Sequence, residues 1–376
     1  MSEDKLRVGL IGAGSWARAA HLPAFADQQG VEVVGVTDAS QTRAIALAEE
    51  FGIDEQYPDL ESMLVEAGLD ILDIVTSRGM HFEPAMAGIE HDLDILCEKP
   101  LGHNLEEART LYRRARDRGL VTHMGFTFRY SPAVRYMRDL ILDGFAGEIF
   151  HLQGFEQNAL LVDPDTPLPR IGFSRATDSG ALHGYGSHLL DLARWILGEF
   201  DEVIGDMATY IKERPVLDED ARLKVEVDDS TTVLARFESG VQGAMQFSKI
   251  AMGYPPGVEL RIFGSRAGLW VRLEESPQGY ESLQVATLDD RNFRRLEIPS
   301  AYTVGHDPGA NSTKNYYTAL VSHFLQRVRG RDTGEGASDF SDGLRAQEVL
   351  EAIELSHLER RWVKLHEVIE RRVNGG

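Results

Sequence analysis

The sequence predicts a two-domain α/β chain: a doubly wound parallel sheet first, then an α+β domain with a large, mostly antiparallel open sheet. Three observations predict it. Up to about residue 124, short apolar runs rich in β-branched residues alternate with helical patterns. Beyond that point strand-like segments follow one another, several separated by Gly-containing turns. The length of 376 residues also exceeds a single core, at about 150 residues per domain. The expected domains are therefore residues 1–124 and 125–376.

In the first domain, Leu6–Ile11, Val31–Val36, Ile71–Val75, Leu93–Cys97 and Leu120–Phe126 read as strands, mostly bounded by Gly, Asp or Pro. Helical patterns lie between them. Ser40–Phe51 is one, and Asn104–Arg118 is another, with Leu105, Ala108, Leu111 and Ala115 on its apolar face. Such alternation implies parallel strands joined by right-handed crossovers. In the second domain the expected strands are Glu148–Gln157, Val203–Ile211, Val225–Glu238, Gly243–Ile250, Val258–Phe263 and Leu269–Leu273. Glu238-Ser239-Gly240 and Gly264–Gly268 read as hairpin turns. Ser187 is placed as the N-cap of a helix ending at Gly198, and Tyr316–Val328 and Leu344–Leu358 are expected as closing helices. Val162–Ala176, with three prolines, reads as an ordered loop.

Charge narrows the function. Lys+Arg 39 against Asp+Glu 60 gives −21, which disfavours phosphate backbones and anionic lipid as partners. A small anionic ligand is still allowed, because a local nest of amides can oppose the global field. The single cysteine, Cys97, leaves no intramolecular disulfide or Cys-rich zinc site. The first residues lack the pattern of a signal peptide, and no apolar run approaches the roughly 20 residues of a membrane span. A soluble, reduced, cytoplasmic protein is expected.

The first strand runs into Gly12-Ala13-Gly14-Ser15-Trp16-Ala17, a G-x-G-x-x-A. Gly12 allows the tight turn, Gly14 lets pyrophosphate approach the backbone, and a small Ala17 lets helix and strand pack. Ser15 and Trp16 open a helix whose free N–H groups and positive end suit phosphate. Asp38 ends the second strand 21 residues beyond Ala17, where a ribose-binding carboxylate belongs. Its alternative role is to cap the helix Ser40–Phe51. A carboxylate there favours NAD over NADP, with Arg43 close enough to offset it. Residues 1–124 are thus expected to be an NAD(P)-binding Rossmann domain.

Two further constellations carry chemistry. Leu93–Cys97 leads into Glu98-Lys99-Pro100, at the end of a parallel strand where ligands of such sheets bind; a solvated Glu-Lys pair is the alternative. On the helix after Ser187, His188, Asp191 and Trp195 share one face, while Leu189, Leu192, Ala193 and Ile196 form a buried stripe. His188 and Asp191 suit acid/base work or a sugar diol; the alternatives are a satisfied partly buried histidine and a first-turn acid. No metal site is expected, since His183 and His188 would point apart on a helix. Cys97 reads as a buried strand thiol. Tyr316, Tyr317 and Phe324 read as core.

These motifs together resemble the glucose–fructose oxidoreductase / inositol dehydrogenase / rhizopine-catabolism (Gfo/Idh/MocA) family of oxidoreductases. The resemblance rests on Gly12–Ala17, Asp38, Thr76…His81, Glu98-Lys99-Pro100, Phe128-Arg129-Tyr130-Ser131-Pro132 and Gly186-Ser187-His188-Leu189-Leu190-Asp191. Val227-Asp228-Asp229, Phe237-Glu238-Ser239-Gly240 and the final helix extend it over nearly the whole chain. It implies that Lys99 sits beside the nicotinamide and hydrogen-bonds the reacting hydroxyl, and that Lys99-Pro100 is often cis. It adds Thr76, Ser77, His81 and Glu98 to the cofactor residues, with Lys99 on both lists. His188 is implied as the acid/base, with Asp191, Tyr185, His183 and Arg129 on the substrate.

The pattern also breaks. Dehydrogenases of the family carry Asp four residues before this histidine; here Gly184 stands there, within His183-Gly184-Tyr185. Glycine relays no proton, so His183 or Tyr185 substitutes or the ordinary mechanism is weakened. Nearby, Arg78 is a solvated loop arginine or a reach toward an anion, and Thr127 replaces the family's asparagine. The implied function is an NAD(P)-dependent oxidoreductase of a sugar, cyclitol or derivative. Its rivals are a redox-neutral, NAD-using hydrolase, lyase or epimerase, and a non-catalytic NAD-binding sugar sensor. Family members also pair their sheets, so a homodimer or homotetramer is expected.

Overall fold

The computed structural model describes residues 5–177, 180–275, 280–307, 309–331 and 336–370. The chain divides into two compact units, Met1–Thr127 with Gly305–Leu344 and Phe128–Val304 with Arg345–Gly376.

In the first unit β1 (Leu6–Ile11), β2 (Val31–Thr37), β3 (Glu55–Gln56), β4 (Ile71–Ile74), β5 (Asp94–Cys97) and β6 (Thr122–Met124) form one parallel sheet. Their order is β3-β2-β1-β4-β5-β6. The chain winds outward from β1 to β3, then crosses back to β4, so the direction switches between β1 and β4. Ligands of open α/β sheets bind at the carboxyl ends beside such a switch. Between the strands run α1 (Leu22–Ala26), α2 (Gln41–Phe51), α3 (Leu60–Glu66), α4 (Phe82–Glu90) and α5 (Leu105–Arg118). The α5 signals are local. Asn104 accepts the Glu107 N–H, Leu105, Ala108, Leu111 and Ala115 are buried, and Gly119 ends the helix at φ +69°. The expected strands of this domain all form, within two residues at each end; β3 is the addition.

The second unit holds β7 (Ile149–Gln157), β8 (Phe200–Ala208), a hairpin of β9 (Glu213–Pro215) and β10 (Arg222–Lys224), then β11 (Ser230–Phe237) and β12 (Gln242–Ser248). It continues with β13 (Gly257–Gly264), β14 (Ala267–Glu274), β15 (Tyr280–Thr287), β16 (Arg294–Leu296) and β17 (Val363–Lys364). Nine of these make one sheet, ordered β16-β15-β14-β13-β7-β12-β11-β8-β17. Only the β7/β12 pair in it is parallel. One face is buried, as period-2 patterning dictates: Thr231, Val233, Ala235 and Phe237 on β11, and Ala267, Leu269, Val271 and Leu273 on β14. Helices complete the chain: α6 (Pro132–Leu142), α7 (Ser187–Leu197), α8 (Ser312–Val328), α9 (Phe340–Glu359) and α10 (Leu365–Glu370). Leu189 of α7 packs on Gly154 of β7, and Ile353 of α9 on Gly205 of β8.

Two expectations are corrected here. Val225–Glu238 is not one strand, because Val225–Asp229 is a loop held by its own carboxylates. Asp228 accepts the Leu182 N–H and the Thr231 hydroxyl, while Asp229 accepts the N–H groups of Tyr210 and Ile211. Ser187 is not an N-cap. A π-helical turn, Leu182–Gly186, runs straight into α7, so Ser187 is helical and fully buried, and Asp228 satisfies the turn's entry instead. The proline-rich Val162–Ala176 is an ordered loop. Phe173 joins Val216, Val225 and Val227 in a small core, and Arg214 donates to the carbonyls of Leu161 and Asp163. No helix among the described residues is long and apolar enough to cross a membrane.

Candidate functional site

The turn after β1 has the geometry a dinucleotide needs. Gly12 adopts φ +108°, and a Cβ there would stand 2.6 Å from the Val75 carbonyl carbon and oxygen at the end of β4. Only glycine fits. A Cβ on Gly14 would meet nothing within 4 Å, so this backbone faces open space, room for a pyrophosphate. Gly14, Ser15 and Trp16 are exposed where the helix begins, with its first N–H groups lacking intrahelical acceptors, while Ala17 is fully buried. Asp38 is fixed beside the turn. Its Oδ2 accepts the Ala13 N–H at 2.8 Å, and its Oδ1 accepts the Ser40 N–H at 2.7 Å and the Arg43 guanidinium at 2.7 Å. Burial opposes its charge, but those donors win and hold its pKa below the usual carboxylate range. Ser40, not Asp38, is the cap residue of α2. These residues fit a dinucleotide with a free ribose diol.

At the carboxyl end of β5 stands the Lys99-Pro100 peptide, which is cis, with Lys99 half-buried. Its neighbours clamp the main chain. Glu98 Oε2 accepts the Lys99 N–H at 3.1 Å, and His81 Nδ1 lies 2.8 Å from the Pro100 carbonyl oxygen. Glu98 and His81 were expected on the cofactor; here both side chains face the interior. His81 is 1% exposed, with its other nitrogen 2.9 Å from the Thr76 carbonyl; the Glu98 carboxylate turns inward. Thr76 Oγ1 bonds the Met80 carbonyl, and Ser77 is half-buried beside it. Arg78 is neither solvated nor reaching outward; it is buried and donates to the His103 carbonyl at 2.6 Å.

The inward side of Glu98 is a charged cluster. His21 lies fully buried between Asp73 (Nδ1 to Oδ2, 2.9 Å) and Glu98 (Nε2 to Oε1, 3.2 Å). The Tyr317 hydroxyl also donates to Glu98 Oε1, and Trp16 Nε1 donates to that hydroxyl at 2.6 Å. Burial alone would lower the His21 pKa, but Asp73 and then Glu98 outweigh it and raise it to about 9. Burial likewise opposes the Glu98 charge, yet the His21 bond and charge, with Lys99 and Tyr317, draw its pKa down to about 2. Asp73 moves the other way, pushed up by burial. The signs define a pH window. His21 contributes stability in full below about 6.5, losing it as pH rises through 9; Glu98 contributes above about 4.5, losing it as pH falls toward 2. Melting temperatures are therefore expected to decline between pH 7 and 9.5 in the wild type, and a His21→Gln variant should lose much of that slope. Equal slopes in the two proteins would show that His21 is not charged.

The second unit carries the histidine. His188, buried on α7, stacks edge-on against Phe128 with ring centroids 4.8 Å apart. Arg129, next in the chain, forms a two-pronged pair with Asp191: Nε to Oδ2 at 2.7 Å and Nη2 to Oδ1 at 2.5 Å. Both side chains are essentially sealed, and Trp195 receives the guanidinium at 5.3 Å from its ring centre. Arg129 and Asp191, expected on the substrate, are here paired with each other, and Phe128-Arg129 braces α7. His183 also turns inward, its Nε2 lying 2.8 Å from Glu354 on α9. Tyr185 is half-exposed in the π-helical turn. Its hydroxyl accepts from Asn158 Nδ2 at 2.7 Å, and Lys249 Nζ lies 5.8 Å from its ring centre. Asn158 and Lys249 directly follow β7 and β12, the parallel pair, so their side chains gather at its carboxyl edge. Neither was anticipated from sequence, where Lys249 was read inside the expected strand Gly243–Ile250. Among the described residues no group of three His, Cys, Asp or Glu is arranged to hold a metal.

The glycine turn after β1, the carboxylate at the end of β2 and the lysine at the end of β5 stand on a doubly wound sheet of the dinucleotide-binding oxidoreductase kind. Comparison with known proteins agrees. Residues 6–126 match the model of an oxidoreductase family with an NAD-binding Rossmann fold, and residues 134–270 match the GFO/IDH/MocA C-terminal domain. The levoglucosan dehydrogenase of Pseudarthrobacter phenanthrenivorans is 27% identical, over 97% of this chain and 99% of its own. A solved levoglucosan dehydrogenase in complex with NADH and L-sorbose superposes with TM-score 0.87 at 27% identity, covering 96% of this chain and 99% of that one. An NAD-binding oxidoreductase from Klebsiella pneumoniae gives TM-score 0.83 at 30% identity, with coverage of 96% and 99%. The chain belongs to the Gfo/Idh/MocA family of oxidoreductases.

Proposed function

We propose that this protein is an NAD(P)-dependent dehydrogenase acting on a secondary hydroxyl of a sugar, cyclitol or derivative. The observation that carries it is the clamped Glu98-Lys99-Pro100 segment at the carboxyl end of β5, in a sheet whose glycine turn after β1 opens onto free space. The nearness to levoglucosan dehydrogenase supports the substrate class. Gly12 to Ala17 and Asp38 would hold the dinucleotide, which supplies the hydride acceptor or donor. Lys99 donates a hydrogen bond to the reacting oxygen and stabilises the charge that develops there as its proton leaves. His188 exchanges that proton. Tyr185, with Asn158 and Lys249, holds neighbouring hydroxyls and takes the place left by Gly184 in the relay. His183, Arg129 and Asp191 position these groups.

The half-buried Asp38 carboxylate favours NAD, since it would repel a 2′-phosphate, and the exposed Arg43 offsets it only weakly. The test is a panel of polyols and anhydrosugars with NAD⁺ and NADP⁺, followed at the NADH absorbance. Turnover of at least one sugar with NAD⁺ preferred is expected. Product formed with no accumulated NADH would instead favour the redox-neutral chemistry that Gly184 motivates. Ligand-induced thermal shifts with no turnover would favour a sensor.

The outer face of the nine-stranded sheet supports a homo-oligomer. Leu234 and Trp362 are exposed on it, around a depression of about 420 Å³ lined also by His151, Gln153 and Arg236. A second copy would cover this face, and light scattering gives the mass directly. A reducing cytoplasm suits a chain with one thiol.

A further inference from the structure

The cluster inside the first unit carries more than stability. A neutral imidazole has one N–H donor, yet His21 faces a carboxyl oxygen at each nitrogen, so with both carboxyls ionised the two bonds take the imidazolium. Asp73 on one side orients the ring, and the other N–H is thereby aimed at Glu98. Glu98 is held from three more directions. The Tyr317 hydroxyl donates to the same oxygen as His21, and the second oxygen takes the Lys99 N–H. Behind it lies Gly125, where any Cβ would stand 2.5 Å from Glu98 Oε1, so the carboxylate rests against bare backbone. A hydrogen-bonded chain thus runs from Trp16, in the glycine turn, through Tyr317 and Glu98 to the main chain of Lys99.

We propose that Tyr317 and His21 are positioning residues for Lys99, fixing the Glu98 carboxylate and through it the main chain that carries the lysine. Tyr317 lies on α8, more than two hundred residues beyond the lysine, yet its hydroxyl is the link between the dinucleotide turn and the lysine segment. The groups facing the cluster are Asp73, Glu98, Lys99, Tyr317 and the buried Cys97 thiol, whose own pKa is pushed up by burial. With the thiol and phenol neutral, one imidazolium and one ammonium balance two carboxylates. Removing the Tyr317 hydroxyl takes a donor from Glu98 and leaves this balance intact, so its effect is one of geometry.

The proposal rests on the assignment of Lys99, and the test separates the two. Tyr317→Phe keeps the ring contacts with Trp16 and His21 and deletes one oxygen. With whichever sugar the panel identifies, kcat is expected to fall about 10-fold or more, as misplacement of a reacting group by a fraction of an ångström does. The KM for the sugar and the NAD⁺ dissociation constant from calorimetry should change by less than about 2-fold. Hydrogen exchange at the Lys99 amide should quicken by about 5-fold or more, with the α5 amides unchanged, because its acceptor is no longer fixed. His21→Gln should act in the same direction, and Tyr317→Phe decides the matter where that variant does not fold. Loss of turnover in Lys99→Ala together with wild-type kcat and Lys99 exchange in Tyr317→Phe would overturn the positioning role and leave the dehydrogenase reading standing. A lowered melting temperature with those quantities unchanged would overturn it as well. Full turnover in Lys99→Ala would remove the lysine's role itself. If no sugar is turned over, the Lys99 exchange rate alone decides.

Discussion

Replacing Lys99 with alanine is expected to lower turnover by about 10³-fold while NAD⁺ binding stays within about 2-fold of wild type. The expectation follows from where the residue stands. The dinucleotide's phosphates would meet Gly12 to Ala17 and its ribose would meet Asp38, on the β1 and β2 side of the switch, whereas Lys99 closes β5. Deleting the ammonium removes a donor to the oxygen on which charge develops, an interaction stronger in the transition state than in the ground state, so kcat should fall more than KM rises. Lys99→Arg is expected to recover little, because a planar guanidinium fork does not reproduce a compact ammonium. Calorimetric titration with NAD⁺ and steady-state kinetics on the same preparations measure both halves. Near-wild-type kcat in Lys99→Ala would refute the mechanism.

Much of the first unit was legible because its signals are local. The glycine turn, the apolar runs of β1, β2, β4 and β5 and the cap-to-glycine span of α5 each occupy one stretch of chain and name their own structure. Strand edges in the second unit drifted where side chains override propensity. Val225 to Asp229 has the composition of a strand, yet Asp228 and Asp229 spend their carboxylates on backbone N–H groups of other segments. Six short or polar strands, among them β15 and β17, went unread for lack of a run long enough to show a period.

The site was legible as a set of residue types and not as a set of partners. His81, Glu98, Arg129, Asp191 and His183 were singled out correctly as chemically unusual, but each turns inward and supports another residue. Pairing across 62 positions, as for Arg129 and Asp191, leaves no trace in spacing. His21, Asp73 and Tyr317 were overlooked, and one of them did leave a signal. Asp73 interrupts the apolar run of β4, a strand buried throughout; an acid there must find a buried donor. Tyr317 gave none, since an aromatic at helical spacing reads as core whether or not its hydroxyl is used.

The Arg129–Asp191 pair makes the second large prediction. Asp191→Asn keeps the shape of the side chain but removes the charge of a carboxylate that a sealed guanidinium meets through two bonds, which should destabilise the second unit by about 3–5 kcal/mol. Arg194, which pairs with Glu199 at 2.8 Å, also stands 3.8 Å from Asp191 Oδ1, so the variant would lose a second, longer ion pair as well. Trp195, which carries Arg129 at 5.3 Å and Arg138 at 4.5 Å from its ring centre, softens that loss only in part. Removing both partners is a different case. An Arg129→Met, Asp191→Leu double variant buries no charge and should regain most of the lost stability, because a sealed ion pair often contributes little over apolar groups of like volume. Denaturant unfolding of the single and double variants measures the coupling, and sugar kinetics on the same proteins assign it. A structural brace predicts a low unfolding midpoint in the single variant and its recovery, with KM, in the double. An unchanged midpoint in Asp191→Asn with a raised sugar KM would return Asp191 to the substrate.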